Sequence, residues 1–78
     1  MIIKYNNIEK ESEKAVKVNA LVKWSDKSFE RSFWMPKSVI SIDKENMTID
    51  MKDWFYNKLC QENMFGGYMM EFTYHFAN

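Results

Sequence analysis

Cysteine, proline and glycine are nearly missing from this 78-residue chain, which holds one Cys, one Pro and two Gly. A lone Cys60 excludes an intramolecular disulfide and any multi-cysteine zinc site, and it suits a reducing compartment. Two adjacent glycines, Gly66 and Gly67, leave no phosphate-binding G-x-x-x-x-G-K loop and no Gly-x-Ser-x-Gly elbow around any of the serines. No apolar run approaches the roughly 18 residues that a membrane-spanning helix needs. The opening "MIIKYNN" lacks the apolar stretch and small-residue cleavage site of a secretory signal. These absences predict a cytoplasmic protein without a membrane partner. Net charge is missing too, with 11 basic residues against 11 acidic.

Bulky apolar side chains are what the chain has in abundance. Three tryptophans, four tyrosines, six phenylalanines and seven methionines fall in 78 residues. A chain this short buries only about 60% of the surface its unfolded form exposes, so a thin core must be built from large groups. One domain, residues 1–78, is all this length supports. The balanced charge conceals a polarity. Residues 14–37 hold Lys14, Lys17, Lys23, Lys27, Arg31 and Lys37 against Asp26 and Glu30, whereas residues 38–78 hold six carboxylates against three lysines. Such a dipole can steer a partner, or can simply be complementarity within one fold.

The apolar pattern predicts α+β: a small, mostly antiparallel sheet or barrel-like fold of four or five strands, with one helix near 51–62. Val16, Val18, Ala20, Val22 and Trp24 alternate with Lys17, Asn19 and Lys23, as a half-buried strand does, and only Leu21 spoils the alternation. "SDKS" at 25–28 reads as a hairpin turn, followed by a return strand "FERSFWM" that Pro36 ends. On that strand Phe29, Arg31, Phe33 and Met35 share one face and Trp34 takes the other, so Phe33 and Trp34 cannot both enter one core. Pro36 also suits the first position of a short helical turn, "PKSVI". "IIKY" at 2–5 reads as a short strand, and "NNIEKESE" at 6–13, without an apolar face, reads as a loop.

Further on, "DKEN" at 43–46 reads as a turn, and Met47, Ile49 and Met51 are expected to point inward from a strand. Asp50 is expected to cap a helix whose buried stripe is Met51, Trp54, Phe55 and Leu59. The glycine pair is expected to stop that helix, and "YMMEFTYHF" at 68–76 alternates as a last strand.

Three stretches, "KAVKVNALVKW", "FWMPKSVISI" and "MTIDMKDWF", resemble a group of small bacterial, phage and mobile-element proteins, mostly uncharacterised. There a "KA" and an apolar strand lead to a W-apolar-PKS-x-I motif, and a later tryptophan opens a helix. The matching residues are Lys14, Ala15, Trp34, Met35, Pro36, Lys37, Ser38, Ile40 and Trp54, within residues 13–59. Phe33 and the aromatic C-terminal strand depart from that pattern. The resemblance implies a fold module and a mobile-element setting, and it supplies no catalytic residues.

Chemistry-bearing clusters are sparse. Cys60 follows Leu59 on the expected helix and reads as a small buried hydrophobe rather than the partner of His75, the single histidine. "DKEN", Asp50 and Asp53 lack the spacing and glycine of a calcium loop. No catalytic residue, cofactor or metal is implied, and a non-enzymatic protein is expected. Two binding readings remain. In the first, a protein of phage or mobile-element type acts stoichiometrically on a host protein or nucleoprotein complex, as an inhibitor. Its contacts would be Arg31, Phe33, Trp34 and Lys37, with Lys23 and Lys27 steering. In the second, the basic, aromatic segment 14–37 binds single-stranded nucleic acid. Self-association stays open, because so many large apolar residues can exceed what a small core hides.

Overall fold

The computed structural model describes residues 1–72. Among these residues the order is β1 (Ile2–Lys4), β2 (Asn7–Glu11), β3 (Ala15–Trp24), β4 (Lys27–Pro36), a 3₁₀ turn (Lys37–Val39), β5 (Ile40–Asp43), β6 (Thr48–Met51), α1 (Asp53–Glu62) and β7 (Glu71–Phe72). The class is α+β, as the sequence predicts. The strands, however, number seven, and they form two antiparallel sheets instead of closing into a barrel. One sheet has the order β1-β6-β5; the other has the order β2-β3-β4, with β7 beside β3.

The hairpin β3–β4 is the framework. Its register runs unbroken from Ala15↔Pro36 to Trp24↔Lys27, leaving Ser25 and Asp26 as a two-residue loop. That is tighter than the four-residue break expected, and Ser25 accepts φ 58° to close it. The opposite edge of β3 is divided between two strands. β2 pairs with Val16–Asn19, and β7 pairs with Val22 and Lys23. On the inner face Val16, Val18, Ala20 and Val22 are fully buried. Against them pack Ile3 and Tyr5, Ile49 and Met51 of β6, and Phe55, Tyr56, Leu59 and Cys60 of α1. Met35, Met70 and Phe72 complete the core. The Phe33 ring rests 5.4 Å from the Phe72 ring, and Tyr56 stands 5.8 Å from it on another side.

Several expectations change. Residues 7–11 form a strand, not a loop. β2 is a polar edge strand in which only Ile8 packs on the core, so its backbone pairing leaves no apolar signature. Ser12 closes the turn to β3, accepting from the Ala15 N–H at 3.1 Å. Met47 points outward with φ 55°, because it belongs to the turn after Asp43, and Thr48 is buried in its stead. Met51 ends β6, so the helix starts at Asp53 with Lys52, not Asp50, at its N-cap.

The buried helical face rotates accordingly to Phe55, Tyr56, Leu59 and Cys60, which leaves Trp54 57% exposed. Asn63, not the glycine pair, finishes the helix, its amide donating to the Leu59 carbonyl at 2.8 Å. Gly66 and Gly67, at φ 59° and 83°, instead form a turn bridged by reciprocal Phe65–Tyr68 backbone hydrogen bonds. Pro36 is the last residue of β4 and the cap before the 3₁₀ turn rather than its first residue. Met70 and Phe72 of the expected last strand point inward and Tyr68 does not; residues 73–76 of that expectation lie outside the described residues.

The two faces of β4 differ in a way that stability reads directly. Met35→Ala removes a fully buried side chain and should cost about 2–5 kcal/mol, whereas Trp34→Ala on the outer face should cost about 1 kcal/mol or less. Urea unfolding of the two variants checks this order.

Candidate binding surface

At the hairpin end of the molecule, large side chains gather that the core does not absorb. Trp24 closes β3 and is fixed by its indole N–H, which donates to the Asn63 carbonyl at 2.6 Å. Phe29 of β4 stands 5.9 Å from the Trp24 ring, and Phe65 stands 6.1 Å from it on the other side. Register explains the grouping, because Val22↔Phe29 and Trp24↔Lys27 are paired rungs on the core-facing side of the sheet. The core ends there, yet the side chains continue.

Arg31 completes the cluster. Its guanidinium carbon lies 5.1 Å from the centre of the Phe29 ring and 5.8 Å from that of Trp24, within cation–π range. One guanidinium N–H also donates to the Glu30 carbonyl at 2.9 Å. A cleft of about 420 Å³ runs between β4 and the end of α1, walled by Phe29, Arg31 and Phe33 on one side and Glu62, Met64 and Phe65 on the other. A second hollow of about 450 Å³ lies across Trp24 and Phe65, reaching Lys27 and Tyr68. Phe65 is 72% exposed, the most exposed of the large apolar side chains among the described residues.

The outer face of the same sheet is polar. Lys10, Lys17 and Trp34 form one row across β2, β3 and β4. The next row is knitted by amides: Asn6 donates to Asn19 at 2.9 Å and to Glu30 at 3.1 Å, and Asn19 donates to Ser32 at 3.2 Å.

The six residues expected as contacts therefore separate. Arg31 and Phe33 line the first cleft and Lys27 the second. Trp34, half-exposed, faces away from them beside Lys17. Lys23 lies 3.8 Å from Glu71, and Lys37 is held 2.7 Å from Glu11, lining neither cleft. Sequence reasoning missed Phe65 and Tyr68. The signal was present in "FGGY", since aromatics that flank a two-glycine turn are carried out of the core by the turn itself.

Two side chains with acid–base chemistry, Asp43 and Cys60, sit in environments that shift them. Both oxygens of Asp43 accept hydrogen bonds within its own turn, from the Asn46 amide and from the Glu45 and Asn46 N–H groups, which holds its carboxyl below the usual value. Burial pushes the Cys60 thiol above the ordinary thiol range, with a smaller contribution from Glu71, while a hydrogen bond from Tyr56 opposes it. Among the described residues, no group of three Cys, His, Asp or Glu side chains is placed to hold a metal ion.

Two measurements follow from these environments. Cys60 should react with Ellman's reagent only as fast as the chain unfolds, a rate that urea raises. The Lys37 ammonium, hydrogen-bonded to Glu11, holds the Glu11 carboxyl below the ordinary glutamate value of 4.5. A depressed folded value means that this pair favours the fold above pH 4.5 and loses that contribution as pH falls through the folded midpoint. Carbonyl NMR should show Glu11 titrating below pH 4.5, and Lys37→Ala should return it toward that value.

Compared with protein-family models, with curated proteins and with solved structures, the chain matches none.

Proposed function

We propose that the chain is a non-enzymatic binding protein that acts stoichiometrically on a host protein or nucleoprotein complex, as an inhibitor of phage or mobile-element type. The setting rests on the W-apolar-PKS-x-I resemblance alone. The binding half of the reading is carried by one observation: an arginine laid across two aromatic rings beside a cleft capped by a nearly bare Phe65. Arginine, tryptophan and tyrosine are the side chains that dominate interface energetics, and clustered around a depression they make an anchor site. Cystine, metal and acid–base chemistry have no comparable cluster among the described residues.

The row Lys10–Lys17–Trp34 favours single-stranded nucleic acid as a second reading, since an exposed ring beside two lysines can stack a base and neutralise phosphates. Only one ring stands in that row, and the neighbouring Glu30 opposes phosphate. Protein is the better-supported partner.

The test compares capture from host lysate by the wild-type chain and by Arg31→Glu/Phe65→Ala, with circular dichroism to confirm the fold. Capture of a defined protein at one-to-one stoichiometry, weakened at least about 30-fold in the variant, is expected. Equal capture by both removes the cleft as the contact. Salt-sensitive oligonucleotide binding lost in Lys10→Glu/Lys17→Glu would favour the second reading.

A further inference from the structure

The cleft has a second component that side chains alone do not reveal. β4 lies at the edge of its sheet, and its outer side has no strand partner among the described residues. The Lys37 N–H donates to the Lys14 carbonyl at 2.8 Å, on the same register as Trp24↔Lys27. In an antiparallel ladder the hydrogen-bonded rungs alternate, so odd-numbered residues of β4 turn their backbone groups toward β3. Ser28, Glu30, Ser32 and Trp34 therefore turn theirs outward. Four N–H groups and four carbonyls line the open edge, directly beside the cleft that Phe33, Met64 and Phe65 wall.

The two edges of this sheet are not alike. β2 is five residues long, carries Glu9, Lys10 and Glu11 in succession, and is bent by a register shift between Ile8 and Lys10. Short length, charge and bulges are the devices that keep an edge from pairing. β4 is ten residues long, has no bulge, and its proline falls at the last position. Its middle carries Glu30 on one face and Arg31 on the other, and the Arg31 guanidinium bonds the outward Glu30 carbonyl. That bond is removable: a carboxylate is a stronger acceptor for guanidinium than a backbone carbonyl.

We infer that β4 captures an extended segment of the partner protein as an added strand, placing a large apolar side chain in the Phe33–Phe65 cleft and a carboxylate against Arg31. The occupant is a strand of partner protein, acidic and aromatic, rather than a second copy of this chain. Two β4 strands paired about a twofold axis at Arg31 or at Glu30 would set like charges opposite each other, and pairing about Ser32 would place Arg31 against Phe33, with no carboxylate on that face to draw the guanidinium off the Glu30 carbonyl. Charge at this edge thus favours a partner that supplies the acid. This inference rests on the proposed binding function and specifies how its site works.

Ser32→Pro separates the two. Proline at an outward-facing edge position removes an N–H that β3 does not use, so the β3–β4 ladder survives. Peptides selected from a random phage-displayed library on the wild-type chain should alternate apolar and polar residues and carry Asp or Glu near an aromatic. They should bind Ser32→Pro about tenfold more weakly, the loss of roughly one backbone hydrogen bond. In the wild-type complex, hydrogen exchange at the Ser28, Glu30, Ser32 and Trp34 amides should slow, with exchange in β2 unchanged. That readout stands whether or not the proline variant folds.

Peptides that bind through Arg31 and Phe65 without slowing those four amides overturn strand addition while leaving the binding function intact. Failure to select any peptide overturns it as well. A concentration-dependent mass doubling that Ser32→Pro abolishes assigns the edge to a second copy, and an oligonucleotide that displaces the peptides assigns it to nucleic acid. Either result overturns the proposal.

Discussion

β3 is hydrogen-bonded along both of its edges, and everything else in the molecule is placed by that fact. Its even-numbered residues bond β4, while its odd-numbered residues bond β2 and then β7. Its inner face supplies Val16, Val18, Ala20 and Val22 to the core, each sealed from solvent. Burying a valine contributes about 1.5–3 kcal/mol, a large share for so small a chain. A slip of one residue would turn this set outward and bring Lys17, Asn19 and Lys23 in, so register is strongly specified. The helix and the second sheet then have one apolar face to cover, and they cover it.

The same constraint determines what is left over. The core under β3 ends near Val22, where Phe72 and Met70 close it. The hairpin extends past that point to Trp24 and Lys27, and α1 ends at Glu62 beside it. Phe29 and Phe65 overhang the core, with Trp24 packed at its margin between them, because the strands are longer than the layer they pack on. Arg31 lies over two of these rings and shields part of their area. The cleft arises from unequal element lengths together with the Gly66–Gly67 turn that brings Phe65 back beside β4.

What could be read from the chain follows the same division. The alternation in β3 is visible because one face is buried and β-branched, and Pro36 marks the end of β4 because it has no N–H to donate. β2 is hidden because an edge strand held by backbone bonds needs no apolar face. The helical face was misplaced by about one position, since Met51 can satisfy either a strand period or a helix period and the sheet takes it. Arg31, Phe33 and Lys27, picked by type and spacing, line the two clefts. Phe65 and Tyr68 were not picked, because their role comes from a turn folding back against Trp24 across 39 residues of sequence, as the Trp24–Asn63 hydrogen bond shows. Trp34 had every compositional mark of a contact residue, yet it stands on the other face from Arg31.

An open edge and an exposed aromatic cleft each invite unselective pairing, and β4 carries both. Pairing of the edge with arbitrary chains is opposed by Glu30 and Arg31, one charge on each face at the middle of the strand. In the proposed strand addition, a carboxylate that engages Arg31 would draw the guanidinium off the Glu30 carbonyl and expose the acceptor that an added strand requires. Exclusion of wrong partners and admission of the right one then depend on the same side chain. Specificity of this kind comes from the cost imposed on competitors as much as from affinity for the ligand. On this argument Arg31→Ala should loosen selection rather than abolish binding, whereas Arg31→Glu should reverse it. The two substitutions distinguish a gate from a simple anchor.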